Sequence, residues 1–112
     1  MRIKAALVAI WLICPAPAAA DDWERLDGPG IKAALSARVL GYPDGTLQDF
    51  FADGRTLNGD SAGRWEVRGD RYCSVWPPSD RWACYLVDRN RLDIRFTDDA
   101  GDMTIGRYVD LQ

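Results

Sequence analysis

The apolar positions of this chain change period twice. Residues 5–13 form one unbroken apolar run, AALVAIWLI. Between Gly30 and Ala37 the apolar residues Ile31, Ala34 and Leu35 recur at i, i+3 and i+4, which is one face of a helix. Asp27 or Gly28 caps that helix, and Pro29 falls in its first turn, where a missing N–H costs nothing. At about two turns it holds only by packing on another element. From Arg38 onward the period is two. Val39–Tyr42 and Thr46–Phe51 read as strands about the turn Pro43-Asp44-Gly45, and Asp53-Gly54 turns into Arg55–Leu57. Asn58–Gly63 reads as a loop rich in turn formers. Arg64–Arg68 follows with Trp65 and Val67 inward, and Gly69-Asp70 turns again. After the central hairpin, Arg89-Asn90 is the turn into Arg91–Phe96, which sets Leu92, Ile94 and Phe96 on one face. Asp98–Asp102 is the last turn and Met103–Val109 the last strand. About eight short strands in sequential order predict a mainly β fold. They form a small antiparallel up-and-down barrel or a curled meander, with the short N-terminal helix plugging one end.

The stretch Arg71–Asp88, RYCSVWPPSDRWACYLVD, is the centre of this pattern. With Pro77–Asp80 as a four-residue loop, Trp76 pairs with Arg81, Val75 with Trp82, Ser74 with Ala83, and Cys73 with Cys84. Directly opposed antiparallel residues bring Cα atoms to about 4.5–5.5 Å, within reach of a disulfide. Cys73 and Cys84 are therefore expected to be bridged, with Val75 and Trp82 on their face and Tyr72 paired with Tyr85 on the other. A short closed loop of this kind contributes about 2–3 kcal/mol in the chain-entropy reading. No C-x-x-C is present, so a redox-active pair is not indicated.

The first 20 residues read as a signal peptide: Arg2 and Lys4, the apolar run, then Ala18-Ala19-Ala20 before Asp21. The run is far shorter than the roughly 20 residues a membrane span requires, so no stable span is expected after cleavage. Cys14 follows Ile13, whereas a lipobox cysteine follows a small residue. Cleavage leaves residues 21–112 as one small β domain with two cysteines, in the periplasm or secreted. That domain holds 12 basic and 17 acidic residues, a net charge of about −5, interspersed without long blocks. Such a surface argues against nucleic acid and against an anionic membrane face.

Catalytic signals are sparse. The chain has no histidine, the commonest general base and metal ligand. Its serines and threonines therefore have no such partner, and only Lys32 offers a serine–lysine arrangement. Asp98, Asp99 and Asp102 cluster without calcium-loop spacing and read as turn residues. No enzyme, cofactor or metal is expected. Trp76, Pro77, Pro78 and Trp82 are the most distinctive candidate binding surface. Aromatics with prolines at a loop tip dock a protein or a small-molecule ligand such as a sugar ring, or else close a barrel end. Tyr42-Pro43 and Tyr72 with Tyr85 carry the same two readings.

The motifs DGRT (Asp53–Thr56), G-R-W-x-V (Gly63–Val67) and Y-C-S-x-W-P-P…W-x-C-Y (Tyr72–Tyr85), following the leading helix, resemble small exported proteobacterial proteins of a domain-of-unknown-function family. The resemblance implies export and a small β fold, and no catalytic residues. A looser likeness is to β-barrel metalloprotease inhibitors of the bacterial periplasm, which act through an N-terminal segment. Asp21–Leu26 would have that role here. Together these readings predict a non-enzymatic, disulfide-stapled binding or accessory module, with a periplasmic protease inhibitor as the alternative.

Overall fold

A computed structural model describes residues 22–111. The signal-peptide reading of residues 1–20 lies outside them. The order of elements is β1 (Glu24–Arg25), α1 (Gly28–Leu35), β2 (Arg38–Gly41), β3 (Leu47–Phe50), β4 (Arg55–Asn58), β5 (Ser61–Arg68), β6 (Arg71–Val75), β7 (Ala83–Asn90), β8 (Asp93–Thr97) and β9 (Met103–Tyr108). Strands β2 to β9 each pair antiparallel with the next, and β9 returns to pair with β2. The meander is thus a closed eight-stranded barrel. Closure leaves these strands no free edge along which another chain could add.

Alternation fills the barrel. Leu40, Phe50, Trp65, Tyr72, Val87, Ile94, Phe96 and Tyr108 point inward from successive strands and are buried. Phe50 lies among the other rings, with Trp65 and Tyr72 each 5.9 Å away edge-on and Phe96 stacked at 6.4 Å. Burying a side chain of this size contributes about 1.5–3 kcal/mol.

Helix α1 lies over one end and inserts Ile31, Ala34 and Leu35 into the same cluster. It begins at Gly28, with Asp27, one of the two expected caps, ahead of it and Pro29 in its first turn. The Asp27 carboxylate accepts from Gly30 N–H at 2.8 Å as the N-cap. Gly28 N–H donates to the Asp70 carboxylate at 2.8 Å, across from the β5–β6 turn. A Cβ on Gly28 would sit 2.4 Å from the Gly69 carbonyl oxygen, so only glycine allows this approach. The Tyr108 hydroxyl donates to the Ala34 carbonyl, tying the helix to β9. Ahead of the helix, β1 pairs with β7 at Glu24–Arg89 and Arg25–Asp88, beyond the point where β6 begins. Asp88 is buried there, accepting from Arg25 Nε at 2.9 Å and from Arg95 at 3.2 Å. The Arg95 guanidinium lies 4.4 Å over the Trp23 ring.

The central hairpin keeps three expected pairs, Tyr72–Tyr85, Cys73–Cys84 and Ser74–Ala83. The disulfide is present, with the two Cα atoms 4.0 Å apart. Beyond Ser74 the expected register fails. Val75–Trp82 and Trp76–Arg81 do not pair, because β6 ends at Val75 and β7 begins at Ala83. The loop is therefore Trp76–Trp82 rather than Pro77–Asp80. Trp76 turns inward over Gly63, which takes the chain out of the ladder, and the two prolines offer no N–H to resume it. The peptide between them is cis. Tyr72 and Tyr85 are opposite the cysteines as expected, packed 5.8 Å apart inside the barrel.

Two other turns also differ from expectation. Asn58–Gly63 is no open loop: Asn58 pairs with Ser61, leaving Gly59-Asp60 as a tight turn with Gly59 at φ 59°. Asn90 pairs with Asp93, so the β7–β8 turn is Arg91-Leu92, and Leu92 is exposed instead of joining Ile94 and Phe96. At Asp98–Asp102 the turn is as read, with the Asp98 carboxylate accepting from the N–H groups of Ala100 and Asp102.

Candidate functional site

Among the described residues, nothing plugs the end of the barrel opposite α1. That end opens into a cavity of about 460 Å³ between the β2–β3, β4–β5, β6–β7 and β8–β9 turns. Its floor is the ring cluster of Tyr72, Tyr85 and Phe96, with centroids 5.1 to 6.3 Å apart. Its walls are polar and aromatic. Gln48, Asn58, Ser74 and Thr104 face it, together with Tyr42 and Trp76.

Two strand glycines position the aromatic walls. A Cβ on Gly63 would lie 2.6 Å from the Trp76 ring, and one on Gly106 would lie 2.9 Å from the Tyr42 ring. Each ring rests directly on a strand backbone, which is what a glycine inside a strand commonly marks. Trp76 follows β6 and Tyr42 follows β2, four strands apart in a ring of eight, so the two rings stand on opposite sides of the mouth.

The polar groups are ordered by one buried amide. Gln48 is 5% exposed, at an inward position of β3 two residues before Phe50. Its Oε1 accepts from the Tyr42 hydroxyl at 2.6 Å. Its Nε2 donates to Thr56 Oγ1 at 3.0 Å and to the Tyr72 hydroxyl at 3.3 Å. Thr56 in turn donates to the Asp49 carbonyl at 2.8 Å. On the far side, Trp76 Nε1 donates to the buried Ser74 hydroxyl at 3.2 Å. Burial pushes the Tyr42 phenol well above its ordinary pKa and raises that of Tyr72 in the same direction. Both remain protonated and neutral at physiological pH. Among the described residues, Asp44 is the one carboxylate on the lining, and no lysine or arginine is there. It sits at the rim, where the Thr46 backbone N–H (2.9 Å) and hydroxyl (2.7 Å) hold its pKa below the usual carboxylate value.

The four residues singled out from the sequence fall in different places. Trp76 lines the cavity. Pro77 and Pro78 are exposed on the rim loop that leaves it. Trp82 is half-buried away from the cavity, with the Arg68 guanidinium 4.4 Å over its ring. Tyr42, Tyr72 and Tyr85, noted as alternatives, all line the cavity. Gln48, Asn58, Ser74 and Thr104 drew no attention as binding residues. A signal for Gln48 was present, as a polar residue at an inward position of an alternating strand. Among the described residues no group of three histidine, cysteine or acidic side chains is placed to hold a metal ion. No helix among them is long and apolar enough to cross a membrane.

The chain matches no protein-family model, no curated protein and no solved structure.

Proposed function

We propose that the protein is a non-enzymatic binding module of the periplasm or extracellular space, which holds a small molecule in the open mouth of its barrel. The observation that carries this reading is the Gln48 network. A buried amide bonding three hydroxyl groups costs stability unless every partner is satisfied, and an apolar filling would have served packing equally well. The cavity volume falls in the ordinary range of small-ligand pockets, about 300–1,000 Å³. The Cys73–Cys84 bridge supports an oxidising location. The protease-inhibitor reading has less support. It needs residues 21–26 free to enter a cleft, and Trp23–Leu26 is instead held along β7 by strand pairing, the Arg25–Asp88 ion pair and the Leu26–Val87 backbone bond of 2.9 Å.

The test is native mass spectrometry after exposure to the low-molecular-weight fraction of a periplasmic extract. The native protein is expected to carry an adduct that Thr104→Trp, which fills the mouth from its exposed rim, does not. An adduct retained by Thr104→Trp, or none on either protein, contradicts the reading.

A further inference from the structure

If the mouth is a binding site, its chemistry also selects the charge and shape of what it binds. We infer that the ligand is an uncharged molecule with a flat ring face and a hydrogen-bonding edge, and that anions and organic cations are both rejected. This rests on the binding reading above and narrows it.

Charge is decided by what the walls can and cannot offer. Among the described residues, an anion entering the cavity meets no lysine or arginine on its lining and one carboxylate, Asp44, at the entrance. A cation finds aromatic rings, whose faces attract it only modestly at an open mouth. Its only counter-charge among the described residues is Asp44, which is solvent-exposed and already accepts two hydrogen bonds from Thr46. An exposed pair of that kind contributes little, because water screens it. Removing an ion from water costs more than these contacts return, so neither sign of charge recovers its hydration here.

A neutral ligand avoids that cost and finds specific partners. Tyr42 and Trp76 each press one side of the ring on a strand backbone and line the cavity from opposite sides. Between them, Asn58 offers an amide on the β4 side and Tyr85 a hydroxyl on the β7 side. Neither side chain is engaged by another side chain among the hydrogen bonds of the network that Gln48 organises. Both donor and acceptor capacity is therefore available at the sides of a ring held between the two aromatic walls.

The test uses three probes that share one ring: benzamide (neutral), benzoate (anionic) and benzamidine (cationic). Each is titrated at neutral pH into the native protein while the indole N–H resonance of Trp76 is followed by NMR. Benzamide is expected to move that resonance with an apparent affinity at least roughly tenfold above either charged analogue. The shift is expected to vanish in Thr104→Trp. Benzoate or benzamidine binding at the mouth as tightly as benzamide overturns the charge selection. Silence from all three probes, while the extract still yields a mouth-dependent adduct, overturns the ring-and-edge inference and leaves the binding reading standing. Silence of probes and extract together overturns both.

Discussion

The two ends of the barrel are built from the same eight strands and are finished in opposite ways. At one end α1 drops Ile31 and Leu35 into the ring cluster, and the hydroxyl of Tyr108 locks onto the helix backbone. At the other, the inward positions change from apolar to polar, with Gln48, Asn58, Ser74 and Thr104 around an open cavity. The plugged end is stabilised by burial, the open end by a hydrogen-bond network and by the disulfide beneath the Trp76–Trp82 loop. On the proposed function, the plugged end serves packing alone and the open end also serves recognition.

That division can be broken from either side, and the largest effect is expected where the two regions meet. Phe50→Ala removes the ring that Trp65, Tyr72 and Phe96 pack on, and should cost about 3–5 kcal/mol in denaturant unfolding. Replacing Cys73 and Cys84 together by alanine should cost about 2–3 kcal/mol. Hydrogen exchange should then quicken at the Trp76–Trp82 loop and leave α1 unchanged, which distinguishes a staple of the open end from a general one. Gln48→Leu should cost about 1–2 kcal/mol, the low end for unsatisfied buried groups, because the hydroxyls it abandons can reach water through the mouth. Asp27→Ala removes the helix cap and should cost about 1 kcal/mol while leaving mouth binding untouched.

The smallest effect, absent at neutral pH, concerns the phenols. Burial raises the Tyr42 pKa above its unfolded value of about 10. Above that pH the unfolded chain loses the proton while the folded protein keeps it, so stability is complete below about pH 10 and falls as pH rises beyond it. Tyr42→Phe should flatten this alkaline decline, measured as midpoint against pH. An unchanged slope would mean that the Tyr42 environment is wetter than described.

Much of the barrel was legible because inward and outward positions alternate along each strand. Trp65, Phe96 and Ile94 announce their faces, and the cysteine register follows from the residues between them. The largest departure has its origin in a contact distant along the chain. The hairpin loop widens because Trp76 rests on Gly63, a strand away, and nothing within Arg71–Asp88 records that. The helix start was legible in Asp27 and Pro29, while the contact that seats it, Gly28 beneath Gly69 and bonded to Asp70 42 residues on, was not. The mouth was harder to read than the core. Trp76 stood out by its prolines, while Gln48 and Ser74 become site residues only once closure of β9 on β2 brings their strands around a common space.

The most direct measurement compares the two indole N–H groups that report on the two ends. Trp76 Nε1 donates to Ser74 at the mouth, and Trp65 Nε1 donates to the Phe51 carbonyl in the β3–β4 loop, 2.9 Å away toward the plugged end. On addition of the low-molecular-weight extract, the Trp76 resonance is expected to shift and saturate while that of Trp65 stays in place. A shift at Trp65 with Trp76 unmoved would contradict the assignment of recognition to the open end.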